Sequence, residues 1–373
     1  MHSIDARLDL EPDPRPPTAE APSAPAPVAA EDARLSAMRV VRRHVDQATL
    51  ARLQRTDNHT NVFYIAADWL AIGGAVVTSL LVPSTVVLVC ALMVIGSRQR
   101  ALMNLLHQAS HAQLFANHRA NYWCGQLLIA FPLLIGLGSY RKSHLAHHRH
   151  LWDEELDPKT IRYGELRLVT VAPRRSRFLL RHLGYSLALR QVPANLRAAL
   201  SHQAGSRVET WGRAAYWLVV VGVAVACGVE RELLLYWGVP YLVVLQVIRY
   251  WTDAAEHSGL RSDDPWTATR SWTAGPLVRW LLAPHADSYH LAHHLVASVP
   301  HYRLKALHRE LLQIPEYAAG HHCDGFFLRR RPEYLSVIRD ICRPDCPRPA
   351  LLMVEHARDR GMQRPELEPA SST

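Results

Sequence analysis

Between Phe63 and Ser97 the chain carries one charged residue, Asp68. At about 1.5 Å of rise per residue, an unbroken helix through that block overshoots a hydrocarbon core of roughly 30 Å. Pro83 and Ser84 interrupt the block near its middle. It reads as two membrane-crossing helices, over 61–81 and 84–112, joined by a very short turn. A second paired block runs from Ala214 to Ile248, broken by Glu230-Arg231-Glu232, and reads as helices over 214–229 and 232–256. Of the 373 residues 49% are hydrophobic, and they are segregated into such blocks with Arg-rich stretches between them.

Those stretches account for a formal net charge of +9. A basic balance suits nucleic acid or a membrane surface; the apolar blocks favour the membrane, so no nucleic-acid partner is expected. Loops 82–83 and 230–232 carry almost no Lys or Arg, whereas the N-terminal arm, residues 141–213 and the C-terminal third are rich in Arg. The positive-inside rule puts those three on the cytoplasmic side, giving four crossings with both termini inside. Residues 122–140 are uncharged and long enough for a fifth crossing. They are expected to be re-entrant or interfacial, because a fifth crossing would put the histidine clusters described next on opposite faces.

Residues 1–31, Pro- and Ala-rich from 11 onward, read as a disordered tail. Residues 32–58 read as amphipathic helices at the membrane surface or in solvent. A membrane domain over 59–345 and a flexible tail over 346–373 complete the expected organisation. No basic-then-apolar signal peptide opens the sequence. Six scattered Cys do not form a secreted disulfide framework, and reduced thiols are expected.

The 22 His are clustered. His107-Gln-Ala-Ser-His111 closes the second apolar helix, His144-Leu-Ala-His147-His148 opens the large basic stretch, and His290-Leu-Ala-His293-His294 follows the last apolar segment. Residues three and four apart share a helix face, so each cluster aims two or three imidazoles toward a common point. Burying them without partners is costly, and metal ligation removes that cost. Eight imidazoles at one rim exceed what one metal takes, so two metals are expected. Imidazole suits Zn, Cu, Fe and Ni alike. One HxxxH alone is weak; the set of three is specific. His118, His150, His285, His301 and His308 flank the clusters and read as solvated or hydrogen-bonded. His321, His322, Cys323, Cys342 and Cys346 match no standard zinc spacing.

The order HxxxH, HxxHH, HxxHH on paired apolar hairpins resembles the membrane fatty acid desaturases. The resemblance continues through Tyr289-His-Leu-Ala-His-His-Leu295, Val299-Pro-His-Tyr-Arg-Leu304 and Leu307-His308, and covers roughly residues 60–340. It implies an all-α integral membrane fold: four transmembrane helices in two hairpins under a cytosolic helical cap that carries the histidine boxes. It also implies a ninth ligand, matched by His257, and makes Asp253, one turn earlier, a candidate for water-mediated or adjacent contact with a metal, although the acyl-CoA enzymes of animals have Asn there. Glu256 is expected beside the ligands rather than among them. Asp153, Glu154, Glu155, Asp157 and Asp287 are candidates to orient imidazoles.

The function so implied is O2-dependent insertion of a C=C bond into a fatty acyl or lipid-like chain, by two Fe ions. Electrons come from a separate ferredoxin or cytochrome b5-like donor with its reductase, since no His-Pro-Gly-Gly segment is present. The substrate is CoA-, acyl-carrier-protein- or lipid-linked, and the active site is cytoplasmic. An apolar tunnel is expected, with Trp123, Trp251, Trp266 and Trp272 as candidate linings or, alternatively, interface aromatics. Glu256-His-Ser-Gly259 resembles the alkane hydroxylase motif and keeps a hydroxylase or ketolase open. A histidine-rich metal transporter fits poorly, because the apolar blocks lack His within the span.

Overall fold

The computed structural model describes residues 27–169, 174–200 and 206–342. Most of the N-terminal tail, the C-terminal tail and Cys346 lie outside the described residues. Among the described residues, four helices are long and apolar enough to cross a membrane: α3 (Thr60–Leu81), α4 (Thr85–Ser110), α10 (Arg207–Ala226) and α11 (Glu230–His257). Val82–Ser84 alone joins α3 to α4, as the Pro-Ser break implied. Helix α10 starts earlier than its apolar run because the Ser206 side chain caps it, accepting the Glu209 N–H at 3.2 Å. The outer faces of α3 and α10 are apolar and bare, Leu70 being 75% and Leu218 76% exposed, a pattern suited to lipid. Helix α11 widens into a π turn at Leu234–Gly238. Pro240, in the next turn, has no N–H to donate.

Residues 118–149 do not form one spanning helix. Helix α5 (His118–Cys124) runs into a π stretch, Gly125–Ala130. The chain then reverses through a turn in which Leu134 has φ 59° and enters α6 (Leu137–Arg149). The reversal is pinned from within: Gln126 Oε1 accepts the Leu137 N–H at 3.1 Å, and Glu209 on α10 accepts both Gln126 Nε2 and, at 2.8 Å, the Gly138 N–H. A Cβ at position 138 would stand 2.9 Å from Glu209 Oε1, so a larger residue there would push the Glu209 carboxylate off the Gly138 N–H.

Helices α1 (Pro27–His44) and α2 (Gln47–Gln54) precede α3. Helix α1 begins inside the stretch expected to be disordered. Its buried Ala37 and Val41, with Leu50 and Leu53 of α2, pack on Leu291, Leu295, Leu304 and Leu307, so this apolar face is covered by protein rather than lipid. Short helices α7 (Pro158–Glu165), α8 (Arg175–Leu187), α9 (Val192–Leu200), α12 (Pro276–Leu282), α13 (His290–Leu295), α14 (Leu304–Leu311), α15 (Pro315–Ala318) and α16 (Val337–Cys342) complete the polar side. One departure from the all-α expectation is a parallel pair of strands, β1 (Arg270–Thr273) and β2 (His321–Asp324), in register from Arg270↔His321 to Thr273↔Asp324. Buried Arg270 ties it down through Asp340 at 2.6 Å, which also accepts His321 Nδ1 at 2.8 Å.

Candidate metal centre

The nine histidines meet in two adjoining groups. His107, His111, His144, His148 and His293 form one, and His147, His257, His290 and His294 the other; within each group one ring nitrogen per residue lies within 4.8 Å of all the rest. Helix α4 ends at the first group, α11 at the second, and α6 and α13 feed both. Each HxxHH box therefore divides instead of aiming at one point. At about 100° per residue, positions i and i+4 are 40° apart and i+3 falls on their other side. Box two gives His144 and His148 to the group of five and His147 to the group of four. Box three divides the other way, giving His293 to the five and His290 and His294 to the four. The groups touch where the His148 and His294 rings stack at 4.3 Å.

The spacing tests whether a metal fits. Imidazoles bound at right angles to one ion at roughly 2.1 Å have nitrogens about 3.0 Å apart. In the group of five the Nε2 atoms of His107 and His293 are 2.8 Å apart, those of His111 and His144 2.8 Å, those of His144 and His148 3.0 Å, and those of His148 and His293 3.1 Å. In the group of four His257 and His290 are 2.9 Å apart, and His290 and His294 3.1 Å. His147 adds a second observation. Its Nδ1–H is held by both Asp157 oxygens, at 3.1 and 3.0 Å. That fixes the tautomer and leaves Nε2 a buried acceptor without a hydrogen-bond donor. A cation satisfies it, and the donor set fits one metal per group.

Electrostatics agree. Burial, then the neighbouring imidazoles, hold His144, His148, His290, His293 and His294 well below the usual histidine range. They are neutral donors at physiological pH. Burial lowers His147 too, opposed by Asp157.

Of the carboxylates singled out in the sequence, the fold brings three to imidazoles: Asp157 to His147, Asp287 to 3.6 Å from His107 Nδ1, and Glu256 to His290. Asp153 caps the turn at Glu155 and Leu156, and Glu154 pairs with Arg261 at 2.7 Å. Asp253 belongs to neither histidine group. It accepts Arg162 at 2.8 Å and stands 3.4 Å from the Tyr163 hydroxyl. Glu256 lies 3.6 Å from His290 Nε2. His285, His301 and His308 are hydrogen-bonded, as expected, at 2.7 Å each to Asp68, Asn61 and Tyr317. His322 bonds the Tyr317 carbonyl at 2.6 Å.

A cavity of 730 Å³ opens beside both groups, with His107, His144 and His290 in its wall. None of the four tryptophans lines it: Trp251 and Trp272 are core residues packed on Phe326, Trp266 sits in the core near Tyr317, and Trp123 is exposed. The cavity wall is mixed rather than wholly apolar: Met103, Ile135, Ile161, Ala194 and Ala199 supply apolar surface, and a set of basic side chains stands beside them. Arg100, Lys159, Arg162 and Arg249 were missed in the sequence. Arg100, two residues after Arg98 at the polar end of an apolar block and seven residues, about two helical turns, before His107, was the available signal.

The sequence pattern of the family described as Fatty acid desaturase matches residues 45–325. Dihydrorhizobitoxine desaturase of Bradyrhizobium elkanii is 31% identical over 302 residues, 77% of this chain and 85% of that protein. A chloroplastic omega-3 fatty acid desaturase of Glycine max is 26% identical over 239 residues, 56% of this chain and 51% of that protein. The chain belongs to the fatty acid desaturase family, with histidine groups that could hold metal and four candidate membrane-spanning helices.

Proposed function

We propose that the protein is a membrane oxidoreductase that introduces a C=C bond, with one iron held by His107, His111, His144, His148 and His293 and a second by His147, His257, His290 and His294. The observation that carries this reading is the division of nine neutral imidazoles into two groups with coordination-like spacing, on a chain of this family. When bound, the two irons supply the O2-activating chemistry that breaks unactivated C–H bonds. The reaction balances as two hydrogens from adjacent carbons, two electrons from an external carrier, two protons and O2, giving the alkene and two waters.

The chain's own residues do the rest. Asp157 keeps the proton on His147 Nδ1, so that Nε2 faces inward. Asp287 does the same for His107 while neutralising Arg100 at 2.5 Å. Burial of the groups keeps water from the oxidising centre, and the cavity holds the substrate against His107, His144 and His290. Asp253 acts as a positioning residue for Arg162. The two hairpins span the bilayer with termini and active site on the cytoplasmic side, where a ferredoxin or cytochrome b5-like donor delivers electrons. An acyl chain linked to CoA, carrier protein or lipid is the substrate class that the family name suggests, and the first relative's name points to a different molecule.

The test is iron analysis with product analysis. Purified protein should hold about two irons per chain, and His147→Ala should lose tight binding at the group of four, dropping toward one iron, together with activity. A variant fully active with its iron intact overturns the assignment. Products lacking two hydrogens support desaturation; products gaining one oxygen support the hydroxylase reading that Glu256-His-Ser-Gly259 keeps alive.

A further inference from the structure

This inference rests on the desaturase reading of the nine-histidine centre and concerns what that centre acts on. The inner wall of the cavity sets Arg100, Lys159, Arg162 and Arg249 against Asp253, Glu256 and Asp287. Most of that charge is internally matched. Arg100 pairs with Asp287 at 2.5 Å and Glu256 at 3.6 Å, and Arg162 with Asp253 at 2.8 Å.

One of the four cations has no ion pair within 4.0 Å, and a second is only weakly matched. Arg249 reaches Asp253 only through Nε at 3.9 Å. The half-buried Lys159 ammonium makes no ion pair within 4.0 Å and no hydrogen bond among the described residues. Both line the same space as His107, His144 and His290, together with polar Asn104, Ser139 and Tyr140.

An alkyl chain passing over Lys159 and Arg249 strips water from both and returns nothing to either; Met103, Ile135, Ala194 and Ala199 in the same wall can hold the carbon skeleton instead. A carboxylate returns short, charge-assisted hydrogen bonds to both. We propose that the substrate is a compact, water-soluble carboxylic acid whose carboxylate is held by Lys159 and Arg249. The carbons oxidised lie close to that carboxylate, because its anchors and the histidines face one cavity. The 730 Å³ cavity admits such a molecule and longer ones alike, so the position of the two cations beside the histidines, not the volume, carries the assignment.

The experiment uses the full chain, iron-loaded, in lipid nanodiscs, titrated calorimetrically with butyrate, hexanoate, octanoate, their methyl esters and palmitate. Iron is measured on the same samples, so a failure of the metal centre shows as missing iron, separately from any failure of binding. At least one short acid should bind at least about tenfold tighter than its ester, the difference a charged hydrogen bond makes. Lys159→Met should weaken the acid about 10- to 100-fold, leave the ester unchanged and keep the iron, and Lys159→Arg should restore most of the loss. The proposal is overturned if iron-replete protein binds no short acid, fails to tell acid from ester, binds palmitate more tightly than every short acid, or loses acid and ester alike in Lys159→Met.

Discussion

Asp157 holds His147 and starts a helix with the same carboxylate. Its oxygens accept His147 Nδ1–H at 3.0 and 3.1 Å while capping α7 through the Lys159 N–H at 2.8 Å and the Thr160 hydroxyl at 2.7 Å. The cap fixes where Lys159 enters the cavity, so one buried acid links the metal groups to the substrate space. Asp157→Asn should separate its two jobs. Asparagine caps as well as aspartate, so the unfolding temperature should move little, while metal affinity falls about 10- to 100-fold as the imidazole loses its anionic partner. Asp157→Ala should lose the cap as well, at about 1 kcal/mol of stability. Chelator competition and thermal unfolding measure the two effects.

The division of the histidines into five and four makes a graded prediction. His111→Ala leaves four imidazoles in its group, as many as the other group has intact, and should retain close to two irons with reduced activity. His257→Ala leaves three and should drop toward one iron. Elemental analysis of the two variants purified side by side decides it; equal loss in both contradicts the partition.

Acid should destabilise the metal-free protein. His144, His148, His290, His293 and His294 are held well below the ordinary histidine value of 6.5, first by burial and then by neighbouring imidazoles. Below that value the unfolded chain binds protons that the folded chain refuses, so stability is fully present above about pH 6.5 and declines as pH falls through it. Iron competes with the same protons, so iron loss should follow the same direction. Thermal unfolding of metal-free protein between pH 8 and pH 5, and iron retention over that range, should both fall toward acid; a midpoint that rises on acidification contradicts the buried-neutral assignment.

What the sequence made legible is what depends on local pattern. The bare stretch around Asp68 and the break at Pro83 placed α3 and α4, and box spacing brought His107, His144 and His290 to one centre. The division of each box was already implicit in 100° per residue, but choosing which imidazoles join needs the relative placement of α6 and α13. Selecting Asp157 over its neighbours Asp153, Glu154 and Glu155 needed the turn at Trp152, whose φ is 70°. The basic part of the cavity wall was illegible because Arg100, Lys159 and Arg249 lie far apart in sequence and meet only through packing. Trp251, Trp266 and Trp272, strong interface signals singly, went to cores instead, while Trp123 stayed exposed.

Asp68 is the one charge in the first apolar block, and its environment says why it is tolerated there. It is 2% exposed and meets Arg98 at 3.0 Å and His285 Nε2 at 2.7 Å. Arg98 in turn lies over the Trp280 ring at 4.0 Å and donates to the Trp280 carbonyl. His285 sits in the left-handed region, φ 59°, immediately before the third box. The network therefore clamps the spanning pair α3 and α4 to the segment that delivers His290, His293 and His294. Removing one partner strands the other charge, at a cost of about 3–5 kcal/mol for a buried pair, whereas an apolar replacement of both can be close to neutral. Asp68→Ala should lower the unfolding temperature in detergent and loosen iron held by the third box, Arg98→Met should do likewise, and the Asp68→Ala/Arg98→Met double variant should recover much of the loss. Additive losses in the double variant would mean that the two charges act independently and that the clamp is not what holds the third box in place.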